Sequence, residues 1–204
     1  MGGDGRKSDP DDAPGWPLDL RGITESVVAT RGPGGRWNVA ALGLHAGDPV
    51  TGRTWGRTRT RRNFEREGRG HVGFVRDPVL FTEAALGVVE RANPALPEAD
   101  ARVEVAVEAI DRGESGGTEW VEWTLDPVES VVERRVVPAT NRGYGAAIEA
   151  TVAASRLGVG AYDRAALLDR LDYFADVARR CGGDRERAAI ERLANLTDGW
   201  AGGE

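Results

Sequence analysis

The sequence predicts a mainly β protein, an antiparallel barrel of six or seven short strands, followed by a small helical unit. Three observations carry that prediction. Between Gly22 and Val137, β-rich runs follow one another with few helical stretches between them, which favours an antiparallel barrel over a parallel α/β sheet. Within this region "ARVEVAVEAID" (101–111) alternates cleanly, with Val103, Val105 and Val107 on one face and Glu104 and Glu108 on the other. After Pro138 the apolar period lengthens to that of a helix. The expected division is a tail over 1–20, a barrel over 21–139 and a helical domain over 140–204.

Residues 1–20 are rich in Gly, Asp and Pro and show no apolar period, so they read as a mobile tail with Trp16 and Leu18 as anchors. "GITESVVATR" and "RWNVAALGLHA" read as two strands of a hairpin, joined by the turn residues Gly32-Pro33-Gly34-Gly35. A third run, "VTGRTWGR", leads into "TRTRRNFERE", where alternation stops and helix formers follow cap residues. "GHVGFVR" reads as a fourth strand, and Asp77-Pro78 opens a helix over "VLFTEAALGVV", with proline where its missing N–H costs little. A proline-containing loop covers 93–97, and after the alternating run "TEWVEWTLD" and "VESVVERRVV" read as further strands. In the C-terminal unit, Tyr144, Ala147, Ile148 and Thr151 share one helix face. A second helix stripes Leu167, Leu168, Leu171, Phe174, Ala175 and Ala178 before Gly182, and a third covers 185–196.

With 204 residues the chain can bury a sizeable core. No apolar run approaches the roughly 20 residues of a spanning helix, and the N-terminus lacks a signal-peptide layout, so the expectation is a cytoplasmic protein without a membrane partner. One cysteine, Cys181, and two histidines, His45 and His71, argue against a zinc site. Lys7 is the only lysine among 27 basic residues, so almost all positive charge is guanidinium, a composition that suggests a high-salt (halophilic) or high-GC source. The net charge of −6 argues against a nucleic-acid partner and makes any anion site a local one.

That local site is sought in "RTWGRTRTRRNFEREGR", where seven arginines fall between Arg53 and Arg69. At a strand-to-helix junction, free N–H groups, the side chains of Thr58, Thr60 and Asn63, and forked donors from Arg57, Arg59 or Arg61 suit a terminal phosphate. The alternative is that the arginines are solvated and paired with acids such as Glu65 and Glu67. No Walker loop or Rossmann glycine pattern occurs, so the expected ligand is a monophosphate. His45 and His71 are candidates for proton handling or plain hydrogen-bonded histidines. Cys181 reads as inert packing, and Trp120 and Trp123 point to opposite faces of one strand. Asp163, Asp169, Asp172 and Asp176 read as a solvated helix face.

Taken in order, "TESVVATRG", "WNVAALGLHAG", "RTWGRTRTRRNF", "GHVGFVRDPVLFTEAALG" and "NRGYGAAIEATVAASRL" resemble DUF447, an archaeal family of uncharacterised proteins in the flavin-binding split-barrel group. The resemblance spans Gly22 to Leu157 and extends weakly into the terminal helices. It implies a six-stranded Greek-key split barrel, a homodimer, and FMN held noncovalently near the dimer interface. On this resemblance Thr58, Thr60 and Asn63 match the positions that contact the FMN phosphate, with Arg57 just before them. Asn38-Val39-Ala40-Ala41 match an N-x-A-P element, and the backbone at Gly43 and Leu44 lines the ring edge. Ala41 replaces the usual proline, and Gly73 stands where many relatives have an asparagine. The function implied is that of an FMN-dependent oxidoreductase of unknown donor and acceptor. The alternatives are a flavin carrier without turnover and a module binding RNA or another phosphate polymer.

Overall fold

The computed structural model describes residues 15–200, so most of the predicted tail lies outside the described residues. The strands are β1 (Ile23–Arg31), β2 (Trp37–His45), β3 (Thr51–Trp55), β4 (Arg69–Val75), β5 (Val89–Arg91), β6 (Ala99–Ser115) and β7 (Thr118–Val132). The helices are α1 (Arg59–Glu67), α2 (Pro78–Leu86), α3 (Arg142–Ser155), α4 (Arg164–Cys181) and α5 (Asp184–Leu196). All strand pairs are antiparallel, in the order β1-β4-β6-β7-β3-β2, and β2 returns to β1 to close a six-stranded barrel. The seventh strand, β5, is added to β2 outside that ring.

Alternation decides which face goes where. Val28, Leu42, Leu44, Val72, Val103, Val105, Val121, Trp123 and Leu125 fill the barrel, and Phe64 of α1 joins them edge-on to Trp123 at 5.3 Å. On the opposite face of the same strands, Val27, Ala29, Val39 and Val75 pack against Leu80, Phe81 and Ala84 of α2. The helical unit then covers the far side of α2, with Val79 and Leu86 against a core built from Leu167, Leu171, Ala175, Ala178, Ile190 and Leu193. Five buried alanines of α3 let the other helices approach closely.

Caps set the helix starts. Thr58 accepts from Arg61 N, Asp77 from Val79 N, Asn141 from Gly143 N and Tyr144 N, and Asp163 from Ala165 N. Gly68 ends α1 in the left-handed region at φ 63°.

Five details differ from the sequence reading. The runs 118–126 and 128–137 are parts of one strand that ends at Val132, and Pro127 is accommodated at a register shift near Val105. With 17 and 15 residues, β6 and β7 are long rather than short. α2 stops at Leu86, and Val89 belongs to β5, a three-residue strand too brief to give a periodic signal. Trp16 packs edge-on against Phe74 at 6.2 Å and Leu20 joins the barrel core, whereas Leu18 is exposed. Cys181 is exposed and not packed. No helix among the described residues is long and apolar enough to cross a membrane.

Candidate functional site

The barrel is not closed evenly. β2 pairs with β1 along its whole length, but on its other side it meets β3 only at Leu44 and His45 and β5 only at Trp37–Val39. Ala40, Ala41, Leu42 and Gly43 therefore have a strand on one side only. Past Gly52, β3 leaves β2 and follows β7, so Arg53, Thr54 and Trp55 stand across a wedge from residues 41–43. Backbone groups left without a ladder partner need other acceptors and donors, which makes such a seam a polar ledge for a flat ligand.

A cleft of about 450 Å3 occupies this wedge, within the roughly 300–1,000 Å3 usual for small-molecule sites. Its floor is the open edge of β2, one wall is β3 and the start of α1, and the opposite wall is Phe81, Ala84 and Ala85 of α2 with Thr151, Val152, Ser155 and Arg156 of α3. Small residues keep it open. At Gly43 a Cβ would lie 3.3 Å from Ile23 Cγ2, and Ala40, Ala41, Ala84 and Ala85 add only methyl groups to the lining.

At the α1 end, Thr58 and Thr60 line the cleft. The Thr58 oxygen caps Arg61 N at 3.2 Å, which leaves its O–H free to donate, and the first-turn N–H groups of Arg59 and Thr60 have no helical acceptor. Asn38 lies behind them and donates from Nδ2 to Thr60 Oγ1 at 3.3 Å, fixing that hydroxyl. Arg53 also lines the cleft, across the wedge from Gly43. Its guanidinium stacks on Trp120 at 4.1 Å and pairs with Glu122 at 3.1 Å, yet its buried Nε–H has no acceptor among the described residues.

Of the sequence-predicted residues, Thr58, Thr60 and Gly43 line the cleft and Asn38 stands one layer behind. Asn63 does not reach it. Its buried amide donates to Thr30 Oγ1 at 3.0 Å and to Thr30 O, and its oxygen accepts from Arg66, so it ties α1 to β1. Leu44 is fully buried in the barrel and is paired on both sides, with Thr24 and Gly52. Arg57 is exposed, outside the cleft lining and without an ion pair among the described residues. Five of the seven arginines are neutralised by acids: Arg53 by Glu122, Arg59 by Glu90, Arg61 by Glu65 and Glu119, Arg66 by Glu67, and Arg69 by Glu104. The pairing alternative thus describes most of this segment.

Gly73 is also placed elsewhere. A Cβ there would meet Leu96 Cδ1 at 2.6 Å in the core under α2, so an asparagine would have no room and no view of the cleft. His45 lines the cleft, while His71 meets Trp37 edge-on at 5.2 Å outside it. Burial lowers the His71 pKa, and the carboxylate of Glu104 opposes that shift. Trp123 is in the barrel core, donating to Thr54 Oγ1 at 2.9 Å, and Trp120 faces Arg53.

Sequence reasoning missed three charged residues of the cleft: Arg53, Glu25 and Arg156. Glu25 lies opposite Gly43 in the β1–β2 register. Burial raises its carboxyl pKa, Arg156 pulls it down and Glu149 adds to the rise. The only sequence signal for Glu25 was an acidic residue on the helix-covered face of a strand. Arg156 carried none, since its position follows from where α3 ends.

Residues 24–134 match the model of the N-terminal domain of DUF447, a protein family of unknown function, and residues 141–195 match the model of its second part. The chain belongs to the DUF447 family. A crystal structure of an FMN-bound DUF447 protein from Methanosarcina mazei superposes on it with a TM-score of 0.73 at 24% identity, covering 87% of this chain and 96% of that one. The two share the barrel and its helical extension. A flavin reductase complexed with NADP+ matches at a TM-score of 0.40 and 15% identity, over 56% of this chain and 81% of its own. The styrene monooxygenase flavin reductase of Pseudomonas putida matches at 0.39 and 13% identity, over 57% and 93%.

Proposed function

We propose that this DUF447 chain binds FMN in the cleft and acts as a flavin-dependent oxidoreductase. The observation that carries the reading is the wedge itself: an unpaired strand edge beside a helix start where donors lack acceptors. The FMN-bound relative from Methanosarcina mazei, which shares the fold, supports the choice of ligand.

The residues present fit the group. Arg53 Nε–H, the Thr58 hydroxyl and the N–H groups of Arg59 and Thr60 are donors without acceptors among the described residues, the complement of a phosphate dianion. The edge of Ala40–Gly43 offers alternating donors and acceptors to a ring edge, and Ala40, Ala41, Gly43, Ala84 and Ala85 leave room for a flat body. Bound flavin supplies the electron-transfer chemistry. This chain's residues bind and orient: Asn38 holds the Thr60 hydroxyl, Trp120 and Glu122 hold Arg53, and α2 and α3 exclude water from one side of the cleft. With five arginines already neutralised, little free positive charge is left for a phosphate polymer.

Titrating the purified protein with FMN tests the reading, following flavin absorption and fluorescence. Saturable binding at one site per chain is expected. A protein that leaves FMN spectrally unchanged at saturating concentration refutes the proposal. Steady-state turnover with reduced nicotinamide and an artificial acceptor separates the oxidoreductase from a flavin carrier.

A further inference from the structure

At the end of the cleft away from α1, two opposite charges face each other without touching. Glu25, on β1 of the barrel, forms no ion pair and no hydrogen bond among the described residues, although many other acids, such as Glu122, Glu90, Glu65 and Glu104, pair with arginines. A Cβ on Gly43 would sit 3.8 and 3.9 Å from its two oxygens, so the missing side chain keeps open the space above the carboxylate. Arg156, at the C-terminus of α3, also lacks an ion pair among the described residues, and its charge acts on Glu25 across the gap. A simple helix-capping role for Arg156 predicts a guanidinium turned back onto the last carbonyls of α3. Only its backbone N–H reaches Ala153 O and Ala154 O, while the guanidinium lies over the Tyr162 ring at 5.3 Å. Beside it the lining is apolar, from Ile23, Val152, Val159 and Tyr162.

A half-buried guanidinium on an aromatic shelf, next to an apolar wall and open to a cleft, has the chemistry of a carboxylate site. We propose that Arg156 and Glu25 form a second subsite of the cleft, which takes a small organic carboxylate with an apolar body and binds a proton on Glu25 along with it. The carboxylate pairs with the Arg156 fork. Its charge then cancels the field by which Arg156 favours ionised Glu25, so Glu25 takes up a proton from solvent when the ligand arrives. The other charged or titratable groups around Glu25 are Glu149 and Tyr144 of α3, His45 of β2 and Arg53 of β3. Glu149 is held by Arg170 at 3.6 Å, Arg53 by Glu122, and the Tyr144 hydroxyl by the Val75 carbonyl. The subsite lies between β1 and the C-terminal end of α3 and does not depend on the flavin reading.

Benzoate is the probe, with benzamide as its neutral counterpart, in calorimetric titrations of both FMN-free and FMN-saturated protein. Benzoate is expected to bind both forms, at least about tenfold more tightly than benzamide, and Arg156→Met is expected to remove at least about tenfold of that affinity. Titrations in buffers of different ionisation heat should show uptake of up to one proton. Affinity should fall as pH rises, by at most about tenfold per unit, and Glu25→Gln should flatten that slope. Equal binding of benzoate and benzamide on wild-type protein, or none, overturns the proposal without any variant. An unchanged affinity in folded Arg156→Met overturns the role of that residue, and a pH slope that survives Glu25→Gln overturns the proton site. Loss of benzoate binding on FMN saturation shows the subsite to be part of the flavin's own place, which also overturns the proposal. Protein that takes no FMN but binds benzoate in this way ends the flavin reading and leaves the subsite standing.

Discussion

Replacing Arg53 by methionine separates a phosphate-binding role from a structural one. In the free protein the Arg53 guanidinium gains a stack on Trp120, worth about 0.5–2 kcal/mol, and a partly exposed ion pair with Glu122, worth about 0–1 kcal/mol. Against this, its buried Nε–H without an acceptor costs about 1–3 kcal/mol. These contributions nearly cancel, and methionine keeps much of the packing on Trp120. The unliganded Arg53→Met protein should therefore unfold within about 1 kcal/mol of wild type in a urea titration. FMN affinity should respond quite differently. Losing a charge-assisted hydrogen bond to a phosphate removes about 1.5–3 kcal/mol, which is roughly 10- to 150-fold in Kd by fluorescence titration. Riboflavin lacks the phosphate and should bind wild type and variant alike. A variant that loses stability but binds FMN as tightly as wild type refutes the assignment, and so does equal loss of FMN and riboflavin affinity.

Asn63→Ala should cost about 1–3 kcal/mol in chemical denaturation, because it strands the buried Thr30 and removes one partner of the exposed Arg66, while FMN affinity changes by less than about threefold. Gly73→Asn should lower stability by about 1–3 kcal/mol or more, as its Cβ would meet Leu96, and should restore no contact to ligand. His71 has a folded pKa below its unfolded value near about 6.5, so the unfolded chain binds the extra proton between the two. Stability is then lost as pH falls from about 6.5 toward the folded value, and urea titrations of His71→Gln across that window should show a flatter profile than wild type.

Most of the fold was legible because the local signals agree. The Gly32–Gly35 turn, the Thr58 and Asp77 caps and the 101–107 alternation each fix where an element starts within a residue or two. The site was legible only where it coincides with such a signal. Thr58 is the helix cap, so a sequence motif finds it. Asn63 belongs to the same motif, yet helical geometry puts it five residues on, turned toward β1, where Thr30 takes its amide. The arginines misled for the same reason. Spacing shows where positive charge lies, whereas Glu90, Glu104, Glu119 and Glu122, which neutralise it, arrive from distant strands. Glu25 and Arg156 meet across 131 positions of sequence, a juxtaposition that no local pattern encodes.

The seam explains why the cleft exists at all. Antiparallel strands in register would continue past Leu44–Gly52 to set Arg53 against Gly43 and Trp55 against Ala41. β3 instead stays with β7, where Thr51–Trp55 pair without a break with Trp120–Thr124. Arg53 stacks on Trp120 and pairs with Glu122 of that strand, and Thr54 accepts from Trp123, so the side chains of β3 are committed to β7 on both faces. On the β2 side, Gly43, Ala41 and Ala40 offer almost no side-chain surface to hold β3 in place. The barrel opens where one neighbour binds β3 strongly and the other weakly. Giving β2 a side chain at the seam should test this. In Gly43→Val, a branched Cβ would crowd Ile23 and intrude into the cleft, so FMN affinity should fall by at least about tenfold while the barrel still folds. If Gly43→Val binds FMN as wild type does, the ligand does not lie along this edge.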